Sequence, residues 1–105
     1  MRQTKHRVLV VLKAGPTWGS GPPEEQPGWQ EHADFVDALI EKGTFVMGGP
    51  FSDYSGSVNL LEGVTALEAA DLLAADPFVE NGVFLVDSIR DWTVYVDELS
   101  AKESV

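Results

Sequence analysis

The sequence predicts an α+β domain in which an antiparallel four-stranded sheet carries two helices on one face. Three observations predict this class. Four short segments are apolar and rich in β-branched residues, two segments between them repeat apolar residues at helical spacing, and clusters of turn-forming residues separate these segments. The length of 105 residues suits one domain. We expect that domain to occupy residues 1–105, with flexible ends at about 1–5 and 98–105.

The first strand is predicted at residues 8–12, an uninterrupted apolar run typical of a buried strand. Residues 13–27 follow as a loop rich in Gly and Pro. A loop of about 14 residues is uncommon in a compact domain and is often functional. Trp18 lies in this loop, and we expect its large apolar ring to pack over another part of the chain.

An amphipathic helix is predicted within residues 27–42, with its start between Pro23 and Gly28 and with Gly43 suited to the position after its end. Its charged residues fall away from the apolar stripe. The stripe consists of Trp29, Ala33, Phe35, Val36, Leu39 and Ile40.

A hairpin is predicted next, with strands at residues 44–47 and 57–62 and a turn at 52–56. Thr65 and Glu68 then form a capping box, which opens a second helix running through about Ala75. Asp76-Pro77 ends that helix, because a residue before proline avoids the helical region. Its predicted apolar stripe is Leu67, Ala70, Leu73 and Ala74. A long fourth strand is predicted at residues 83–96, with a kink near 87–91.

The predicted order is therefore β-α-β-β-α-β, the ferredoxin-like pattern. Three of the strands are nearly continuous apolar runs, which is typical of a sheet covered on both faces. The helices cover one face only. We therefore expect a homodimer in which a second subunit packs against the free sheet face.

Composition argues against several classes of partner. The formal net charge is −10, from 7 basic and 17 acidic side chains, and the basic residues do not cluster. Nucleic-acid and anionic membrane partners depend on such clusters, so neither is expected. The chain has no cysteine, and its two histidines, His6 and His32, show no metal-ligand spacing. We expect no metal and no cofactor. No apolar run approaches the roughly 18 residues of a membrane span, so the expected location is cytoplasmic.

His32 is the first candidate functional residue, because it lies near the centre of the apolar arc of the first helix. A histidine there points toward the sheet. It is either a core residue bonded to a backbone carbonyl or an acid–base group whose ring gives or takes a proton near neutral pH. The long Gly- and Pro-rich loop that precedes the helix favours the second interpretation.

Asp76 is the second candidate, at the end of the second helix. It is either an ordinary turn residue or a partner for His32. A negative charge at a helix C-terminus is unfavourable against the helix dipole, and a nearby imidazolium would compensate it. Gly48-Gly49-Pro50 is the third candidate, either a β-bulge or a place where a ligand approaches the backbone. Asp53 and Ser55, which follow it, are interpreted as turn residues.

Several motifs, taken together and in order, resemble the YCII-related family of dimeric α+β barrels over about residues 7–97. The motifs are Gly15-Pro16-x-Trp18, Glu25-Gln26-Pro27-x-Trp29-x-Glu31-His32-x-x-Phe35, Gly43 followed by Gly48-Gly49-Pro50, Ala75-Asp76-Pro77-Phe78, and Trp92. The resemblance implies the ferredoxin-like fold, a homodimer and a His–Asp site made by His32 and Asp76. Many members carry Arg-Pro before the helix histidine. This chain has Pro27-Gly28-Trp29 there, and Arg90 is the downstream candidate for an anion-binding arginine.

Two functions follow as hypotheses. The first is a small acid–base enzyme of the isomerase, lyase or dehydrohalogenase type, with His32 as the catalytic acid or base and Asp76 orienting it. The second is a non-catalytic dimer that binds a small molecule, with His32 as a polar anchor. In both, the expected ligand-binding residues are Trp18, Trp29, Met47, Gly49 and Phe78.

Overall fold

A computed structural model of the chain describes residues 4–99. Its elements are β1 (Lys5–Ala14), a 3-10 helix (Pro23–Glu25), α1 (Trp29–Glu41), β2 (Phe45–Pro50), β3 (Gly56–Leu61), α2 (Ala66–Leu73), α3 (Pro77–Glu80) and β4 (Phe84–Val94). The predicted order of four strands and two principal helices is confirmed. The one-turn helix α3 between α2 and β4 was not predicted.

All strand pairs are antiparallel, and the sheet order is β2-β3-β1-β4. This is the arrangement expected for a ferredoxin-like fold, in which β1 occupies a central position. The register between β1 and β4 shifts once, because Val11 pairs with Ser88 and Leu12 with Val86. Asp87 is the extra residue of that β-bulge, which accounts for the predicted irregularity near 87–91.

The core lies between the sheet and the helices. Alternate residues of β1 point into it, since Val8, Val10 and Leu12 are buried while the residues between them are less so. The buried cluster is completed by Leu61, Ala69, Leu73, Phe78, Val83 and Phe84. The opposite face of the sheet carries Leu9, Val58 and Leu60, which line an open groove. The described chain therefore buries one face of its sheet and leaves the other accessible.

The two ends of α1 are set by glycines. Gly28 is the N-cap with φ +86°, a left-handed conformation that glycine adopts without strain. At the other end, Gly43 N–H donates to the Ile40 carbonyl and Thr44 N–H to the Leu39 carbonyl, both at 2.9 Å. This pair of bonds, with Gly43 at φ +76°, is a Schellman motif, and it confirms the predicted end of the helix.

The capping box of α2 is confirmed, with Glu68 N–H donating to Thr65 Oγ1 at 3.1 Å and Thr65 N–H donating to Glu68 Oε1 at 3.0 Å. The predicted apolar stripe is correct at Leu73 and wrong at Leu67, Ala70 and Ala74, which are exposed. Leu67 is 78% exposed, whereas Ala69 and Leu73 are buried. Alanine and leucine occur on every side of this segment, so its periodicity does not distinguish one face from another. Packing of α2 against β4 decides the face.

The loop after β1 is held by a buried glutamine. Gln26 Oε1 accepts from Gly19 N–H at 2.9 Å, and Gln26 Nε2 donates to the carbonyls of Ser20 at 2.9 Å and Pro22 at 3.1 Å. Trp18, in the same loop, packs against Phe84 with ring centroids 5.5 Å apart. The expectation that Trp18 covers another part of the chain is therefore confirmed. No helix within residues 4–99 has the length and apolar character needed to cross a membrane.

Candidate functional site

His32 and Asp76 are in contact. His32 Nδ1 and Asp76 Oδ1 are 2.8 Å apart, although the residues are 44 positions apart in sequence. A carboxylate oxygen accepts, so Nδ1 is the donor. This assigns the proton of a neutral imidazole to Nδ1 and leaves Nε2 with its lone pair. Nε2 forms no hydrogen bond with any other residue between 4 and 99.

Asp76 owes its position to α3 rather than to α2. It is the N-cap of α3, and its Oδ1 accepts from Phe78 N–H at 2.9 Å. The prediction that this carboxylate lies against the C-terminal dipole of α2 is therefore wrong. The physical reason is Pro77, which ends one helix but is well suited to the first position of the next. A carboxylate at a helix N-terminus is favoured, so Asp76 is stable there and is still able to accept from His32.

Phe78 fixes the plane of the imidazole. Its ring stacks on that of His32 at a centroid distance of 4.1 Å and an interplanar angle of 11°. Trp29 lies beside the imidazole at 5.7 Å, and Phe84 meets it edge-on at 6.1 Å. Three aromatic rings and one carboxylate thus restrain the His32 side chain, which is mostly buried. A histidine held in this way is oriented before a ligand arrives.

The imidazole forms part of the wall of a cavity of about 330 Å³ between α1 and the sheet. The remaining lining residues are Pro23, Glu24, Trp29, Val36, Ile40, Phe45, Gly48, Gly49, Pro50, Ser57, Asn59 and Phe84. Most of these residues are apolar or aromatic, and a few polar groups converge among them. This combination is typical of a small-molecule binding site.

The structure places only some of the predicted ligand-binding residues at the cavity. Trp29 and Gly49 line the cavity, as expected. Phe78 is completely buried beneath His32 and does not reach the cavity. Trp18 packs behind Phe84 and is also not among the lining residues.

The placement of Met47 in this pocket is wrong. Its side chain is 54% exposed and lies on the opposite face of the sheet, where it lines the open groove. The register of β2 shifts between Phe45 and Met47, and this irregularity puts both Val46 and Met47 on the outer side. A one-residue irregularity in a strand changes the face of the residues beyond it.

Ser57 and Asn59 form the polar part of the cavity, and sequence reasoning missed both. They are buried alternate residues of β3, on the face that carries the core. Ser57 Oγ donates to the Gly49 carbonyl at 2.9 Å. The available signal was the pair of polar residues at alternate positions of β3, since polar residues that face inward need a partner.

No lysine or arginine lines the cavity within the described part of the chain, and the one carboxylate among the lining residues described is that of Glu24. Arg90 pairs with Leu9 in the sheet and therefore lies on the outer face. The interpretation of Arg90 as an anion-binding residue of this site is thus contradicted by its position. Across residues 4–99, no group of three or more His, Asp or Glu side chains is placed to hold a metal ion.

Asp53 and Ser55 are turn residues outside the cavity, as interpreted from the sequence. Both are exposed, and Ser55 N–H donates to Asp53 Oδ1 at 2.9 Å. Hydrogen bonds from the side chain and the backbone of Ser55 hold the pKa of the Asp53 carboxyl below its ordinary value. The carboxylate therefore stabilises the β2–β3 turn.

The chain is thus a ferredoxin-like α+β protein with a His–Asp pair beside a cavity between helix and sheet. The chain belongs to the YCII-related domain family, whose model matches residues 6–93. It is 36% identical over 61 residues to an uncharacterized protein of Bacillus subtilis (strain 168), YjpA. That match covers 58% of this chain and 71% of the relative.

Among solved structures, the chain resembles 5-chloro-2-hydroxyhydroquinone dehydrochlorinase (TftG) from Burkholderia phenoliruptrix AC1100, in complex with 2,5-dihydroxybenzoquinone. The TM-score is 0.57 and the sequence identity 17%, with 88% of this chain and 97% of the other covered. At this identity the similarity shows the shared fold.

Proposed function

We propose that the chain is a small acid–base enzyme that acts on a small organic molecule by proton transfer at His32. The observation that carries the proposal is the 2.8 Å contact between the buried Asp76 Oδ1 and Nδ1 of His32, whose imidazole lines the cavity. That contact leaves Nε2 as the nitrogen available to a molecule in the cavity. An imidazole that is oriented by a carboxylate on one nitrogen and accepts a proton on the other is a recurrent arrangement in acid–base catalysis.

The chemistry requires only proton transfer. His32 Nε2 removes a proton from an acidic C–H or O–H of the substrate, and the Asp76 carboxylate stabilises the imidazolium that forms. In an isomerisation the proton returns to a different atom of the substrate. In a dehydrohalogenation the electron pair of the C–H bond forms the new double bond, halide leaves with the electron pair of its own bond, and the imidazolium later releases its proton to water.

Two comparisons support this class of reaction. The chain shares the YCII-related domain, and a solved structure of the same fold, TftG, is a 5-chloro-2-hydroxyhydroquinone dehydrochlorinase. The cavity of about 330 Å³ is at the lower end of the range for ligand sites, which suits a molecule of about one ring.

The test is solvent-deuterium exchange on ligands found by thermal shift. A panel of hydroxylated, chlorinated and unsaturated single-ring compounds is screened for stabilisation of the wild type and of His32→Ala. Each ligand that binds is then incubated in D₂O with either protein, and NMR records deuterium at its acidic carbon. We expect exchange, or conversion, with the wild type and a loss of at least about 100-fold in rate with His32→Ala, as is usual when a general base is removed.

His6→Ala is the matched control, because His6 is the other histidine of the chain and lies exposed on β1. It should retain the wild-type rate. Ligands that stabilise the wild type without exchange or conversion would instead indicate a non-catalytic binding module. Equal exchange by wild type and His32→Ala would also contradict the proposed function.

A further inference from the structure

Asn59 is a buried side chain with unused hydrogen-bonding capacity. It is 8% exposed, and its amide forms no hydrogen bond with any residue between 4 and 99. In that part of the chain, every side-chain N or O atom that is sealed from solvent has a hydrogen-bond partner. Because the Asn59 amide has no partner, it is not sealed, and it opens onto the cavity that Asn59 lines. Buried amides are nearly always paired, so an unpaired one facing a cavity points to a ligand.

Gly48 keeps this amide uncovered. Gly48 pairs with Asn59 across β2 and β3, and both border the cavity. A Cβ atom at position 48 would lie 2.8 Å from Asn59 Oδ1 and 2.5 Å from Cζ of Phe45. Any larger residue would therefore have to displace the Phe45 ring or the amide. The glycine has a steric role in the site, because it leaves room for a group that binds Asn59.

The charges around the cavity favour an uncharged ligand. Within residues 4–99, Glu24 is among its lining residues and no Lys or Arg is, and the chain carries a net charge of −10. In that part of the chain, a carboxylate or phosphate ligand would find no cationic partner at the cavity other than a protonated His32. The rings of Trp29, Phe45 and Phe84 provide flat apolar walls. An amide also offers both a donor and an acceptor, so it can bind a carbonyl or a hydroxyl group.

We infer that Asn59 is a specificity-determining residue, which binds a carbonyl or hydroxyl group of an uncharged single-ring substrate while His32 exchanges a proton with the same molecule. This inference rests on the proposed function and adds the substrate class. A site built to bond a polar group discriminates strongly against a molecule that lacks the group, because the protein's own polar atoms are then left unpaired.

The experiment compares three probes by NMR titration of the full chain. Hydroquinone is uncharged and has a hydroxyl group at each end, 4-methylphenol replaces one hydroxyl with a methyl group, and 4-hydroxybenzoate replaces it with an anion. We expect the wild type to bind hydroquinone about tenfold more tightly than either other probe. In Asn59→Leu, which keeps a similar side-chain volume, the preference over 4-methylphenol should fall to about twofold or less.

Val58→Thr is the matched control, because Val58 is the next residue of β3, faces the outer groove and is nearly isosteric with threonine. It should retain the wild-type preference. If Asn59→Leu also retains it, the inference is overturned. Thermal unfolding shows whether Asn59→Leu folds. If it does not, the affinities of the wild type test the inference, because equal affinity for hydroquinone and 4-methylphenol overturns it.

The two proposals fail in distinguishable ways. If the preference for hydroquinone persists in Asn59→Leu while deuterium exchange is lost in His32→Ala, Asn59 has no role in specificity and the proposed function still stands. If the preference for hydroquinone depends on Asn59 but deuterium exchange does not depend on His32, the ligand class is supported and His32 has no catalytic role.

Discussion

Asp76 joins two parts of the site through one oxygen atom. The residue is 1% exposed, and its Oδ1 accepts from both His32 Nδ1 and Phe78 N–H. A buried carboxylate is tolerated only when such donors surround it. Because His32 is on α1 and Phe78 is on α3, the carboxylate fixes the relative position of the two helices as well as the orientation of the imidazole. Orientation of the ring and local stability therefore depend on the same side chain.

Replacing Asp76 by alanine is expected to lower the free energy of unfolding by about 1–3 kcal/mol, because it leaves the Phe78 N–H and His32 Nδ1–H without an acceptor in the interior. Asp76→Asn should cost less, since its amide oxygen can still accept. Urea unfolding measures both. Asp37→Ala, at an exposed position on α1, is the control and should change stability by less than about 0.5 kcal/mol. Equal stability of the Asp76 and Asp37 variants would contradict this account.

Among the elements, β2 contributes glycine to the cavity between α1 and the sheet. Gly48 pairs with the inward-facing Asn59 and contributes no side chain to fill the space, whereas Gly49 pairs with Val58, which faces the outer groove. The two positions differ, since a Cβ atom at Gly49 would meet nothing within 4 Å. The Gly49 carbonyl instead accepts a hydrogen bond from Ser57 Oγ. Of the two glycines, Gly48 is therefore the one at which a side chain would take up space beside the ligand.

Gly48→Ala is expected to destabilise the fold by about 1–3 kcal/mol, the usual cost of forcing extra volume into a packed site, and to weaken binding of any ligand in the cavity. Thermal unfolding and NMR titration with hydroquinone measure the two effects. Gly19→Ala is the matched control, because a Cβ atom there would meet only Gln26 Oε1, at an ordinary distance of 3.8 Å. If both variants bind hydroquinone as tightly as the wild type does, a side chain at position 48 does not reduce the space for a ligand in the cavity.

The outer face of the sheet carries a contiguous apolar surface. It forms an open groove of about 770 Å³. Its apolar lining residues include Leu9, Val46, Met47, Val58, Leu60 and Trp92. A contiguous apolar patch on a small chain usually marks an interaction surface. We propose, as the sequence led us to expect, that a second copy of the chain packs here, sheet face to sheet face.

The dimer proposal is tested with Met47→Asp, which places a charge in the groove at a residue that is half exposed in one subunit and so should not disturb its fold. Light scattering at micromolar concentration should show a dimer for the wild type and a monomer for the variant. Leu67→Asp, on the exposed side of α2, should remain dimeric. A monomeric wild type would contradict the proposal.

Local patterns predicted much of the fold. The capping box at Thr65, the glycine end of α1 at Gly43 and the apolar run of β1 are each determined by residues a few positions apart. The apolar face of α2 could not be predicted in this way, because that segment is apolar on several sides. The side of the sheet occupied by Met47 could not be predicted either, because one irregular residue in β2 reverses the alternation.

From the sequence alone we could predict the order of strands and helices, the family resemblance and the choice of His32 and Asp76, because helical spacing, caps and motifs are local properties. The folded chain was needed to show that Asp76 caps α3, that its Oδ1 lies 2.8 Å from His32 Nδ1 and that Asn59 and Gly48 border the same cavity. These contacts join α1, α3, β2 and β3. Their geometry depends on strand register and helix packing, which act between residues distant in the chain.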